Sequence, residues 1–199
     1  MMLVEQTTVP TAALPVAQFK DHLRLGTGFA DDGVQDAMLE TFLRSAIAAI
    51  EARTGKVTIS RSFSWTLSAW RALGQQALPV APVTAITALT MIDRLDQATV
   101  IDPSRYHLEK DDQRPRLVAT GACLPSIPMG GSAEVDFDAG FGASWAEMPA
   151  DLAQAVLLLA AQYYEHRHNT APGERAMPFG VSTLIERYRT VRILGGGGS

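Results

Sequence analysis

One cysteine, Cys123, stands in 199 residues, which excludes an internal disulfide and a cysteine-built zinc site and fits a reducing cytoplasm. There is no excess of positive charge: 17 Lys and Arg against 21 Asp and Glu leave a formal charge of −4. That excludes the broad basic surface of a DNA-coating protein, though not a local basic patch. No apolar run approaches the roughly 20 residues needed to cross a bilayer, so no membrane partner is expected. The opening MMLVEQTTVPTAALP has neither the basic nor the apolar region of a signal peptide. No internal repeat is visible. The closing GGGGS reads as a flexible tail, residues 195–199, outside the fold.

What is present is 47% hydrophobic residues in two different periods. Val16, Phe19 and Leu23 have helical spacing, with Pro15 placed to start a short helix. Asp32 and Gln35 have the spacing of a capping box, and the long helix that follows carries Met38, Phe42, Ala46 and Ile50 beside Leu39, Leu43 and Ile47. Gly55 is suited to close it. The period then drops to two. Val57, Ile59, Phe63, Trp65 and Leu67 alternate with Thr58, Ser60, Ser62, Ser64 and Thr66, predicting one strand with one buried face. PVAPVTAITALTMID, RYHLEKD, RPRLVAT and SAEVDFDAG predict further strands, with Pro79 and Pro82 at an edge or bend and a turn at Asp111–Asp112. A second long helix is expected from Pro149 to about His168, with Asp151 complementing its dipole. Leu152, Val156, Leu159, Ala160 and Tyr163 form its buried face, and Leu157, Leu158 and Tyr164 widen it.

This reading gives an α+β chain. A helical bundle is built on two long helices, residues 14–56 and 147–194. It carries a β-rich antiparallel insertion, 57–146, and ends in VSTLIERYRTVRIL, a short helical turn followed by an extended C-terminal arm.

Motifs of catalysis are missing. Cys123 has no accompanying histidine signature and no Gly-x-Ser-x-Gly elbow occurs. Gly26-Thr27-Gly28 leads to Asp31 and Asp32, which repel phosphate. Glu165, His166 and His168 invite a metal reading, yet i and i+2 point about 200° apart on a helix, so the two histidines cannot share an ion there. They read as a helix end, where donors satisfy the last carbonyls. No enzyme, no metal and no cofactor is expected. Two features remain. The late helix has a wide apolar face, and Arg187, Arg189 and Arg192 interleave with Tyr188, Val191 and Ile193, residue types suited to docking a partner.

The order of LPVAQFKDHLRL, AAIEARTGK, SFSWTLSAW, LPVAPVTAITAL, YHLE, VDFDAGFG, MPADLAQAVLLLAAQYYEHRH and PFGVSTLIERYRTVRIL resembles the head–tail connector, or adaptor, family of long-tailed double-stranded DNA phages and phage-derived gene transfer agents. The resemblance spans about residues 14–194. It implies a virion structural protein, built into particles from a cytoplasmic pool. Its homo-oligomeric ring, commonly twelve-fold, lies between the portal and the next neck or tail protein and surrounds the double-stranded DNA channel. Family C-terminal segments reach towards the portal or a neighbouring subunit. That maps onto Phe179, Leu184, Ile185, Arg187, Tyr188, Arg189, Val191, Arg192 and Ile193. Leu157, Leu158, Tyr164 and Arg167 are the candidate ring contacts. Truncation after Gly180 is expected to remove only the arm. The rival readings are another neck or tail-completion protein, a small enzyme with a pocket in the β region, and a nucleic-acid module centred on the C-terminal arginines.

Overall fold

The computed structural model describes residues 1–25, 35–167 and 177–189. Asp32 of the expected capping box, the Gly26–Gly28 segment, His168, Val191, Arg192 and Ile193 lie outside the described residues.

Among the described residues four helices appear: α1 (Val16–His22), α2 (Asp36–Thr54), α3 (Ala150–Glu165) and α4 (Phe179–Ile185). The apolar rows do set their faces. Leu39, Leu43, Ala46, Ile47 and Ile50 of α2 are buried with Leu152, Ala155, Val156, Leu159 and Ala160 of α3. Phe19 of α1 and Val181 and Ile185 of α4 close the same core. Gly55 ends α2 at φ 69°, its N–H donating to the Glu51 carbonyl at 2.8 Å, because glycine, with no Cβ, takes the left-handed conformation that turns the chain there.

Among the described residues eight strands form two antiparallel sheets. The larger has the order β1 (Met2–Glu5), β2 (Arg61–Leu67), β8 (Ser132–Ala139), β4 (Val83–Ile92), β5 (Ala98–Val100). The smaller has the order β3 (Gln75–Ala77), β7 (Arg116–Ala119), β6 (Tyr106–Glu109). A second core lies between them, with Phe63, Trp65, Leu67, Val135, Phe137 and Leu89 from one sheet meeting Tyr106, Leu117 and Ala119 from the other. Phe63 and Phe137, directly opposite in register, stack with ring centroids 5.6 Å apart.

The expected bundle on two long helices is therefore corrected. Four short helices, of which α1 and α4 have seven residues each, share the chain with two sheets that have their own core. Periodicity gives the helices and strands their faces but carries no information on how many layers those faces fill. In the C-terminal segment, residues 179–188 are helical, a 3-10 turn at Glu186–Tyr188 continuing α4, so the expected extended arm is corrected over those residues, while residues 190–194 lie outside the described residues.

The strand expected from Val57 begins only at Arg61. Ahead of it Lys56 bridges Ala81 and Ile59 bridges Gly142, where the helical and β cores meet. Arg61 and Ser64 are buried although the alternation turns Ser64 outward; Ser64 Oγ donates to Glu134 Oε1 at 2.6 Å, which removes the cost of its burial. Gly140 ends β8 at φ 141°, with a Cβ there falling 2.4 Å from Ser60 Cα. No other residue fits.

Candidate interaction surfaces

The C-terminal segment is built onto the first turn of α3. Val181 and Ile185, four apart on α4, are buried against α3, and this brings Arg187 and Tyr188 to Asp151. Tyr188 Oη donates to Asp151 Oδ1 at 2.6 Å, and Arg187 Nε lies 2.8 Å from Asp151 Oδ2. The Arg187 guanidinium sits 4.6 Å from the Tyr188 ring centroid and also donates to its hydroxyl, while Phe141 meets that ring edge-on at 6.2 Å. Burial, followed by the bond to Asp151, pushes the Tyr188 phenol above its ordinary value. Asp151 thus does more than complement a dipole. Its partners lie 36 and 37 residues downstream, a distance at which local sequence gives no signal.

Of the expected partner contacts, Phe179, Arg187 and Arg189 are exposed and Leu184 is half-buried, whereas Ile185 and Tyr188 are buried in the chain's own helical core. Arg189 pairs with Glu186 at 3.0 Å. On α3, Leu157 and Leu158 are half-buried against the helical core. Tyr164 meets Phe42 edge-on at 6.1 Å. The Arg167 guanidinium lies 4.4 Å from the Tyr164 ring centroid and donates to the Tyr164 carbonyl at 2.6 Å. Successive residues on a helix point about 100° apart, so Leu157 and Leu158 take different faces of α3, while Tyr164 lies in its last turn and Arg167 just beyond it. His166 follows α3 with its ring turned back to the Gln162 carbonyl, Nδ1 at 3.0 Å. Among the described residues no three His, Cys, Asp or Glu side chains gather as for a metal ion.

A charged cleft of about 220 Å³ lies where the N-terminal segment crosses α2, between Glu5, Val9, Arg44, Glu51 and Arg61. Glu51 accepts from the Thr58 N–H at 2.7 Å, the Thr58 hydroxyl at 2.6 Å and Arg61 at 2.6 Å. Glu5 lies 3.5 Å from Arg61, and Arg44 donates to the Val9 carbonyl at 2.8 Å. Opposite charges answer one another inside the cleft, so its chemistry is that of a latch holding residues 5–9 on α2. Sequence patterns did not reveal this latch, nor strand β1 that it secures. MLVE has no alternation of its own, and only the register of β2 makes it a strand.

No protein-family model and no curated protein matches the chain. Solved structures of assembled particles do. A chain in the neck of an empty gene transfer agent (GTA) particle with C6 symmetry superposes at TM-score 0.90 with 60% identity, over 98% of this chain and 99% of that one. A chain in the virion of a native GTA particle gives 0.87 and 60% over the same shares. One in the neck of a native GTA particle with C12 symmetry gives 0.85 and 55%, again over 98% and 99%. The class is thus a neck component of a virus-like particle. At this identity over nearly the whole of both chains, the protein belongs to the family of gene transfer agent neck proteins.

Proposed function

We propose that this protein is a structural head–tail connector: a ring, twelve-fold in its complete form, seated between the portal at the capsid vertex and the next neck or tail protein, around the channel through which DNA leaves. The observation that carries this reading is the full-length likeness, at 55–60% identity, to chains in GTA necks with C6 and C12 symmetry. A cyclic ring needs two different surfaces on each subunit that meet in heterologous contact. Leu157, Leu158, Tyr164 and Arg167, on and just after α3, are candidates for such contacts. Docking to the portal falls to the exposed Phe179, Arg187 and Arg189, the half-buried Leu184, and the residues that follow them, Val191, Arg192 and Ile193. Ile185 and Tyr188 support that end from inside the subunit. The role is architectural, with no catalytic step.

Co-sedimentation with the portal ring encoded beside it, followed by negative-stain imaging, tests the reading. The expected result is a stoichiometric ring stacked coaxially on the portal. A protein that ignores the portal and binds only tail components occupies another neck position, and the connector reading then fails.

A further inference from the structure

We propose that the two open edges of the five-stranded sheet are complementary docking surfaces between copies of this chain, the β1 edge of one copy seated against the β5 edge of the next. The proposal rests on the ring reading above and names surfaces within it.

Nine large hydrophobic side chains are exposed among the described residues, and their positions decide the matter. Met1, Met2, Leu3 and Val4 lie at or beside β1, while Leu95 and Val100 belong to the hairpin that carries β5. Met129, 96% exposed, adjoins that hairpin, since its neighbours Gly130 and Gly131 lie against Arg94 and Ile92. Only Leu73 and Phe179 fall elsewhere. Among the described residues, the exposed large apolar side chains are therefore concentrated at the two ends of one sheet.

Those ends are also open. Among the described residues no strand pairs with the outer side of β1 or of β5. Folded proteins usually blunt such edges with lysine, proline, a bulge or an inward-pointing charge. Met2–Val4 and Ala98–Val100 contain no charged residue and no proline. The one charge on β1, Glu5, is turned to Arg61. β1 is moreover held ready: Gln6 N–H donates to the Ser62 carbonyl at 2.8 Å, Ser62 N–H to Thr7 Oγ1 at 3.0 Å, and the latch on α2 fixes the chain beyond. An ordered strand loses little freedom on docking.

The occupant follows from the register. Met2 pairs with Thr66, Thr66 with Glu134, Glu134 with Thr90 and Thr90 with Val100, so the two apolar edges lie in the same row of the sheet, on opposite sides of the subunit. A contact between two β1 edges closes a dimer and leaves the β5 patch bare. A head-to-tail contact covers both patches and repeats around a ring.

Cross-linking reads this directly. In a Cys123→Ser background, Met2→Cys and Val100→Cys put thiols on the two edges. Within one copy they are four strand spacings apart, about 19 Å, so a bis-maleimide of shorter reach joins only different copies. Assembled necks are expected to give a ladder of covalent multimers from the double variant and none from either single variant. Met2→Glu with Val100→Glu should lower ring assembly at least tenfold with an unchanged melting temperature, since both side chains are mostly exposed, at 61% and 70%. Normal rings on the portal with no ladder, and with normal assembly of the charged variant, overturn the edge proposal and leave the connector reading standing. Dimers from Met2→Cys alone overturn the head-to-tail arrangement. Intact rings of the charged variant that no longer take a tail assign the edges to a different protein and also overturn it. Absence of rings from the unmodified protein and portal removes the connector reading, and this proposal with it.

Discussion

At the scale of single residues, the places where this chain tolerates least are buried charges and glycines packed against backbone, Gly140 and Gly131. Arg61 is almost wholly buried and relies on Glu51, with Glu5 more distant. Removing one partner of such a pair leaves an uncompensated charge in low dielectric, which costs about 3–5 kcal/mol. Glu51→Ala is therefore expected to lower unfolding stability by about 3 kcal/mol, because it also strips the Thr58 N–H and hydroxyl of their acceptor. Urea melts of the purified protein measure it, and a loss below about 1 kcal/mol contradicts the latch. Gly140→Ala places a methyl against the Ser60 backbone in a conformation L-residues rarely adopt, with an expected cost of about 3 kcal/mol.

Lys56 is a different kind of buried charge. Its ammonium donates to the Asp112 carbonyl and, at 2.8 Å, to Gln113 Oε1. Burial pushes its pKa below the ordinary 10.5, with Asp112 and Asp111 pulling the other way. The unfolded chain then binds the proton more tightly than the folded one, so stability gains as pH rises through the depressed folded value towards 10.5. Lys56→Met removes the charge while its acceptors, both on exposed residues, stay open to water. It should be neutral or stabilising at about pH 7 and should abolish the alkaline gain. Melts at about pH 7 and about pH 10 decide it; a strong loss at neutral pH contradicts it.

At the scale of elements, the C-terminal segment shows where the sequence was and was not legible. The 3.6-residue rows of α2 and α3 and the alternation of β8 are strong local patterns, and the buried sets agree with them. What decides α4 is long-range: Val181 and Ile185 find a surface on α3, and Asp151 finds Arg187 and Tyr188. A local reading of the sequence after the Pro/Gly loop predicts a short helical turn running into an extended arm, but not where that turn docks. Likewise β1 is a strand because β2 offers a free edge, and nothing in MLVE announces that. The site residues were legible as residue types suited to interfaces, while their division into inward and outward members needed the fold. A truncation after Gly180 thus removes Val181, Ile185 and Tyr188 from the core and is expected to destabilise the subunit. The informative truncation is after Arg189. It leaves every described contact in place, and should reduce portal co-sedimentation at least tenfold with an unchanged melting temperature. Normal docking by that variant removes residues 190–199 from the portal interface.

At the scale of the whole molecule, charge and assembly constrain each other. A ring around a DNA channel must enclose a polyanion without gripping it, since each phosphate neutralised releases counterions and adds affinity that opposes sliding. With a formal charge of −4 per chain, a ring of twelve, as proposed, would carry about 12 × 4, or ~48, net negative charges, which opposes long-range attraction to duplex. The exposed arginines at the C-terminal end are partly answered in place, Arg187 by Asp151 and Arg189 by Glu186, which suits them to a protein partner more than to phosphate. The expected outcome is that assembled rings retain no linear duplex in a filter-binding or gel-shift experiment at about 50 mM salt, conditions under which even modest phosphate binders are detected. Retention that falls steeply between about 50 and 200 mM salt reports several phosphate contacts and revives the nucleic-acid reading. Its loss on Arg187→Ala with Arg189→Ala then places those contacts at the C-terminal end, against the docking role assigned to it.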